Sequence, residues 1–305
     1  MAMILRSVLH LLAALLCAPL LLGIINQTKA FFAGRQGAPY LQVYFDLAKL
    51  LKKGAVYSRT TTWIFRAGSP VSLAAPLLAA ALVPMAGAPA LIAFPGDLVL
   101  LAYGLGLARF FTVSAALDTG SAFEGMGASR EVQFSALAEP ALLLGLAAVG
   151  RRAGSFSLSE MYQSVDLHLW QAAGPELALV AVAVGVVLLA ENARIPVDDP
   201  NTHLELTMIH EVMVLDHSGP DFAFIEYGAA LKLWVLSSIF VGLLVPLRTD
   251  LPFFEEAFFA CGMILTAMVI GGVESSMARL KLVRVPQFLI GASALSALAL
   301  VLSLR

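Results

Sequence analysis

The sequence predicts an all-α integral membrane protein with eight transmembrane helices, and three observations carry that reading. Of its 305 residues, 59% are hydrophobic and only 13% charged, where a soluble domain carries about 25% charged residues. Mean hydropathy is +0.86, so the chain has more apolar surface than its own core can hide, and lipid is the solvent that accepts the excess. The apolar residues fall into eight runs, most of them near the ~20 residues a bilayer-crossing helix needs.

In chain order the expected spans are 3–25, 63–85, 97–117, 132–149, 175–191, 224–247, 253–274 and 286–304, within one polytopic domain over 1–305. The first is longer than the ~7–15 apolar residues of a secretory signal and reads as a retained span. The third opens on a charged residue, Asp97, and the fifth is short. An even number of crossings puts both termini on one side. Fourteen of the 19 Lys and Arg residues fall on the side of the 26–62 and 192–223 loops; the other five are Arg6, Arg151, Arg152, Arg248 and Arg305. Excess Lys and Arg marks the cytoplasmic side, so the richer side is expected there.

Between the spans, residues 40–53 alternate as an amphipathic helix with a basic end, Lys49, Lys52 and Lys53. Such a helix suits the cytoplasmic membrane surface or a docked subunit. Residues 155–170 are too polar to cross and are expected along the outer interface, with Trp170 as an aromatic anchor. The longest polar segment follows the fifth span. Pro196 and Pro200 prevent a regular helix, Asp198, Asp199 and Thr202 are N-cap candidates, and a new helix is expected from about 202 until Ser218, Gly219 and Pro220 end it. On that helix His203, Thr207, His210 and His217 share one face, and Glu205, Val212 and Asp216 another.

The chemistry these residues exclude is as informative. His203, His210 and His217 are spaced about 10 Å apart along a helix, too far for one metal whose ligands lie at about 2.0–2.1 Å. Cys17 and Cys261 sit in apolar runs without partners for a disulfide, zinc or iron–sulfur site. There is no nucleophile elbow, phosphate loop or dinucleotide fingerprint, and a net charge of −2 gives no footing for nucleic acid. What remains is acidic. Glu139 lies inside the fourth span, and Glu191 and Glu274 end the fifth and seventh. Ionisable groups at membrane depth are costly and mark ion or proton pathways, because burial and neighbouring acids move their proton affinities towards neutrality.

The same segments carry a resemblance. Glu191, Asn192, Arg194, Pro196 and Asp198, then Glu205 and the run Asp216, His217, Ser218, Gly219, resemble the third cytoplasmic loop of the complex I membrane subunit that forms the quinone chamber. Matches continue at Gly34, Arg35, Gln36, Gly37 and Pro39; at Gln42, Tyr44, Asp46, Leu47, Lys49, Leu50 and Leu51; at 117–121; at 127–131; and at 274–281. Together they look most like the homologous subunit of group 4 membrane-bound nickel–iron hydrogenases, including formate hydrogenlyase. The resemblance implies eight helices in a bacterial or archaeal cell (inner) membrane. It also implies a hydrogenase-like large subunit and an iron–sulfur small subunit docked on the cytoplasmic side, with antiporter-like subunits beside the chain in the bilayer. The nickel–iron centre and iron–sulfur clusters would belong to those partners, and this chain would bind no cofactor of its own.

By the same resemblance, Glu139 and Glu191 would line the membrane half of a proton or Na⁺ route, and Glu205, Glu211 and Asp216 its approach from the soluble arm; Glu274, at the end of the seventh span, is a further pathway candidate. Arg35, Asp46, Arg194, Asp198 and Asp199 would dock partners or order the loop. The 199–203 run is less acidic than in the complex I subunit, and His217 replaces a tyrosine there; both departures count against a bound quinone. The alternatives are the equivalent subunit of a quinone-reducing NADH dehydrogenase and that of an ion-coupling complex without hydrogenase activity. A stand-alone transporter is disfavoured because no inverted repeat is present.

Overall fold

Without water to satisfy backbone polar groups, an apolar run in a bilayer folds as a helix. The computed structural model describes residues 2–198, 208–246 and 252–304, and among them eight helices are long and apolar enough to cross a membrane. They are α1 (Ala2–Phe32), α3 (Trp63–Leu82), α4 (Asp97–Asp118), α5 (Ala122–Ala153), α7 (Leu167–Glu191), α8 (Gly219–Leu244), α9 (Pro252–Ser276) and α10 (Val285–Ser303), with shorter helices α2 (Gln42–Leu51) and α6 (Leu158–Ser164) between them.

Five spans form a closed ring: α3 packs on α4, α4 on α5, α5 on α7, α7 on α8 and α8 back on α3. Outside the ring, α10 covers the α5–α7 groove, while α1 and α9 pair and lie against α8. Close helix approach is set by glycine at key contacts. A Cβ on Gly228 of α8 would stand 2.3 Å from the Ser72 carbonyl oxygen of α3, so only glycine permits that spacing.

Element boundaries follow local chemistry. Thr62 caps α3 by accepting the Ile64 amide, and Asp118 at the end of α4 in turn accepts the Thr62 amide at 2.6 Å. Asp166 caps α7 through the Leu169 amide. Pro175 removes a helical hydrogen bond, and α7 kinks at Ala173, as a mid-helix proline requires. The fifth span therefore begins earlier than expected, and its first turns lie before the kink.

The structure corrects several expectations. The fourth span, expected at 132–149, lies within 32 residues of continuous helix, about 48 Å long against a hydrocarbon core of ~30 Å. The 127–131 motif is helical as a result. The 155–170 stretch is anchored to the bundle: Leu158, Met161 and Tyr162 of α6 are buried. Asp97, also buried, accepts the Leu158 amide and the Ser157 hydroxyl. Trp170 donates to the Leu243 carbonyl at 3.0 Å, fixing it to α8. Finally, residues 208–218 form no α-helix. They contain one 3-10 turn, Glu211–Val214, and Gly219 and Pro220 open α8 rather than closing a helix. Proline is suited to a first helical turn, and Gly219, at φ +56°, packs against the Gly54 carbonyl.

Candidate functional site

The site begins where α7 stops. Glu191 is its last residue, yet it lies at the depth of Arg109, midway along α4, and of Lys232, midway along α8. The neighbouring helices continue past it. The space that α7 leaves empty is a cavity of about 310 Å³ walled by the ring helices and by Leu22 and Asn26 of α1 and Val43 of α2, room for several waters at ~30 Å³ each. Its wall includes Arg109, Glu131, Glu191, Arg194, Asp198, His210, Glu211, Glu226 and Lys232.

Arg109 is the centre of a buried ion cluster. Its guanidinium donates at 2.6 Å to both oxygens of Glu191, pairs with Glu139, and lies 3.4 Å from Glu131. Lys232 holds Glu191 from the other side at 2.8 Å, and His210 Nδ1 is 3.6 Å from Glu131. The three guanidinium nitrogens of Arg109 face different carboxylates, Nη2 taking Glu191, Nη1 Glu139 and Nε standing near Glu131, which lets one arginine tie three helices together.

A second cluster stands at the polar end. The Glu274 side chain is 0% exposed and takes Lys29 at 2.7 Å and Arg194 at 3.3 Å. Asp198 pairs with Arg279 at 2.9 Å and accepts the Ile209 and His210 amides at 3.2 Å each. Arg130 donates to the Met208 carbonyl at 2.8 Å. Asp198 thus links the two clusters by holding the backbone that carries His210.

Two further features flank the cavity. On the side of the bundle, between α4, α5 and α7, an apolar cleft of about 620 Å³ is lined by Tyr103, Leu107, Phe110 and Leu143, and Arg109, Glu139 and Glu191 stand in its wall. Above the cavity, buried His217 stacks on Phe65 with ring centroids 4.0 Å apart. Burial pulls its pKa below the ordinary histidine value, against the opposing pull of Asp221 and Asp216. The Asp216 amide donates to buried Glu124 at 3.2 Å.

The family model described as NADH dehydrogenase matches residues 5–304. The chain belongs to that family. Formate hydrogenlyase subunit 4 of Escherichia coli K12 is 33% identical over 276 residues, covering 87% of each chain. Hydrogenase-4 component C of the same organism is 34% identical over 257 residues, 84% of this chain and 78% of that one. A chain in the structure of the membrane-bound sulfane sulfur reductase, an archaeal respiratory membrane complex, has the same fold. Its TM-score is 0.82, with 21% identity over 99% of this chain and 100% of that one. The protein is a member of the NADH dehydrogenase family homologous to hydrogenase and formate hydrogenlyase membrane subunits.

Within this family member, the sequence-predicted acids separate. Glu191 and Glu139 meet at Arg109, but Glu139 is not buried: its side chain is 48% exposed, because it points out of the ring into the lateral cleft. Glu211 joins the cavity wall, and Glu274, Arg194 and Asp198 form the polar-end cluster. Asp216 is exposed beside Glu124, Arg35 is exposed past the end of α1, and Asp46 is exposed on α2, where Gln42 donates to it. Asp199 and Glu205, with Thr202, His203 and Thr207, lie outside the described residues. The shared helix face expected for His210 and His217 is absent, since no α-helix joins them.

Sequence reasoning missed Glu131, Glu226 and Glu124, and Arg109 and Lys232 entered it only among the fourteen basic residues of the richer side. The signal was present: a lysine or arginine within an apolar run marks a site as surely as an acid does. Those residues had been used only to orient the helices. Among the described residues no three His, Cys, Asp or Glu side chains are grouped to hold a metal ion.

Proposed function

We propose that this chain is the membrane-anchoring and ion-coupling subunit of a complex I-like redox complex of the hydrogenase or formate hydrogenlyase kind. In this reading it joins a soluble electron-transfer arm, containing a nickel–iron large subunit and an iron–sulfur small subunit, to antiporter-like membrane subunits. The complex sits in a bacterial or archaeal cell (inner) membrane with the polar end of this chain towards the cytoplasm. The nickel–iron centre and clusters reside in the partners.

One observation carries the reading: an acid–base path leads from the polar end to the flank of the bundle. It starts at Glu274, Arg194 and Asp198, passes the cavity at His210, Glu131 and Glu191, and ends at Glu139 in the lateral cleft. A carboxylate half exposed midway along a spanning helix is unsuited to lipid. A neighbouring membrane subunit covering that cleft removes the conflict and receives the ion. Glu211 and Asp216, with Glu205, belong to the approach from the soluble arm; Arg35, Asp46 and Asp199 serve docking or loop order.

The test is purification of the complex in mild detergent, identification of its chains, and measurement of ion movement in reconstituted vesicles. A nickel-binding large subunit and antiporter-like chains are expected. With Glu139→Gln, ion movement per turnover should fall at least tenfold while the complex still assembles. An NADH-oxidising flavin module in place of the nickel subunit would assign the chain to the quinone-reducing branch. Isolation as a lone transporter, or full coupling in Glu139→Gln, refutes the proposal.

A further inference from the structure

We propose that His210 is the loading residue of a one-proton store built around Arg109, with Glu139 as its delivery end. The inference rests on the ion-coupling reading above and adds to it the number of protons held and the side chain that takes each one up.

The charge inventory sets the number. Six ionisable side chains are in ion-pair contact within the cluster: Arg109 and Lys232, the carboxylates Glu131, Glu139 and Glu191, and His210. With every carboxylate ionised and the imidazole neutral, two positive charges face three negative ones. The group is then one positive charge short of neutrality. Uncompensated charge is strongly disfavoured in a membrane interior, so the contact group attracts one proton.

Geometry selects where that proton rests. Arginine does not deprotonate in proteins. Glu191 takes Arg109 on both oxygens and Lys232 on one, and three charge-assisted contacts hold it ionised. Glu131 lies between Arg109 and His210, so a proton on the imidazole already serves it. Glu139 touches Arg109 alone and opens to the cleft. Two placements remain: His210 on the cavity wall and Glu139 on the cleft wall. Moving the proton from one to the other breaks an imidazolium N–H bond and makes a carboxylic O–H bond. The group's net charge is unchanged, while positive charge shifts from cavity to cleft.

Arg109 and Glu191 line both spaces and form the wall between them. Other charged groups face His210 from every side: Asp198 and Arg194 on the segment after α7, Glu226 on α8, and Glu211 on its own segment. They are common to both placements and bias the store; the count of one is that of the six side chains in direct ion-pair contact. His210 also sits on backbone that Asp198 holds by two amides, so a movement of the polar-end cluster displaces the loading residue directly.

The test uses the assembled complex with His210→Gln, His210→Lys and Glu139→Gln, read by infrared spectroscopy of protonated carboxyl groups and by ion movement per turnover. In His210→Gln the missing proton must reside on a carboxylate. A carboxylic-acid band is therefore expected at neutral pH that disappears in the His210→Gln/Glu139→Gln double variant. In His210→Lys the fixed cation completes the charge balance, and that band is expected to be absent. Both single His210 variants should lower ion movement per turnover at least tenfold with electron transfer retained. If only His210→Gln assembles, the band it gains over wild type decides the matter; if only His210→Lys assembles, its ion movement per turnover does. Unchanged coupling in a His210 variant, or no band difference assignable to Glu139, overturns the store. If Glu139→Gln alone leaves coupling intact, the ion-coupling reading itself fails; if it abolishes coupling while His210→Gln does not, only the loading role fails.

Discussion

Arg109 joins three carboxylates from two helices, and at 11% side-chain exposure it has little water to replace any of them. Removing one partner from a buried ion pair costs about 3–5 kcal/mol, because the remaining charges stay desolvated. Arg109→Gln should therefore lower the thermal stability of the purified chain by several kcal/mol, seen as a large fall in its melting temperature in detergent. Glu139→Gln, half exposed and still able to accept a hydrogen bond, should change that temperature little. Equal effects from both would mean that the cluster is not organised around Arg109. His217 gives a pH-dependent counterpart. Its folded-state pKa lies below the ordinary histidine value because it is buried, so folding favours the neutral ring. Above about pH 6.5 the ring is neutral both folded and unfolded and contributes no pH dependence. As pH falls below that value the unfolded chain binds the proton first, and stability is lost. Melting curves between neutral and mildly acidic pH should show this loss, and His217→Phe, which keeps the stack on Phe65, should flatten it.

The elements that build the cavity depend on a short helix and a close contact. α7 ends at Glu191 while α4, α5 and α8 continue, and the 208–214 segment roofs the space. That roof rests on Gly127 of α5, where a Cβ would meet Val212 at 2.3 Å and the Ile209 carbonyl at 2.8 Å. Gly127→Val should lift the roof at an overpacking cost of about 1–3 kcal/mol. Limited proteolysis is the readout: faster cleavage within 208–218, with the spanning helices intact, is expected, and wild-type resistance would show that the contact is not needed. Helix α2 was legible as an amphipathic helix from 40–53, and it forms at Gln42–Leu51. Its partners were not legible. It packs on α1 and α8, and the Tyr44 hydroxyl donates to the Leu16 carbonyl. The 202–218 reading failed on its described part because side-chain and amide contacts from Asp198, Arg130 and Glu124 replace helical hydrogen bonds there. Tertiary contacts of this kind override a periodic pattern.

Across the whole molecule, Arg109 and Glu191 separate the cavity from a lateral cleft lined by Tyr103, Leu107, Phe110 and Leu143, with Glu139 in its wall. If another membrane subunit covers that cleft, Leu107, 51% exposed in the single chain, becomes inaccessible on assembly. Leu107→Cys, made with Cys17 and Cys261 changed to serine, should react with a membrane-permeant maleimide in the isolated chain and resist it in the complex. Equal labelling in both would place the partner elsewhere.

The sequence by itself determined the fold class, the eight membrane-length helices and the family, and it singled out Glu191, Glu274, Arg194 and Asp198, which the structure places in the two ion clusters. Spans are legible because each is set by the transfer of one continuous segment from water to lipid, a sum over neighbouring residues. The tertiary structure alone decided which charges meet. Arg109 and Glu191 are 82 positions apart, Lys29 and Glu274 lie at opposite ends of the chain, and Glu139 points outward although Ala138 and Ala141 are buried. An ion pair is a property of two positions in space, and its strength depends on the water left around both. Neither quantity exists until the helices have closed their ring.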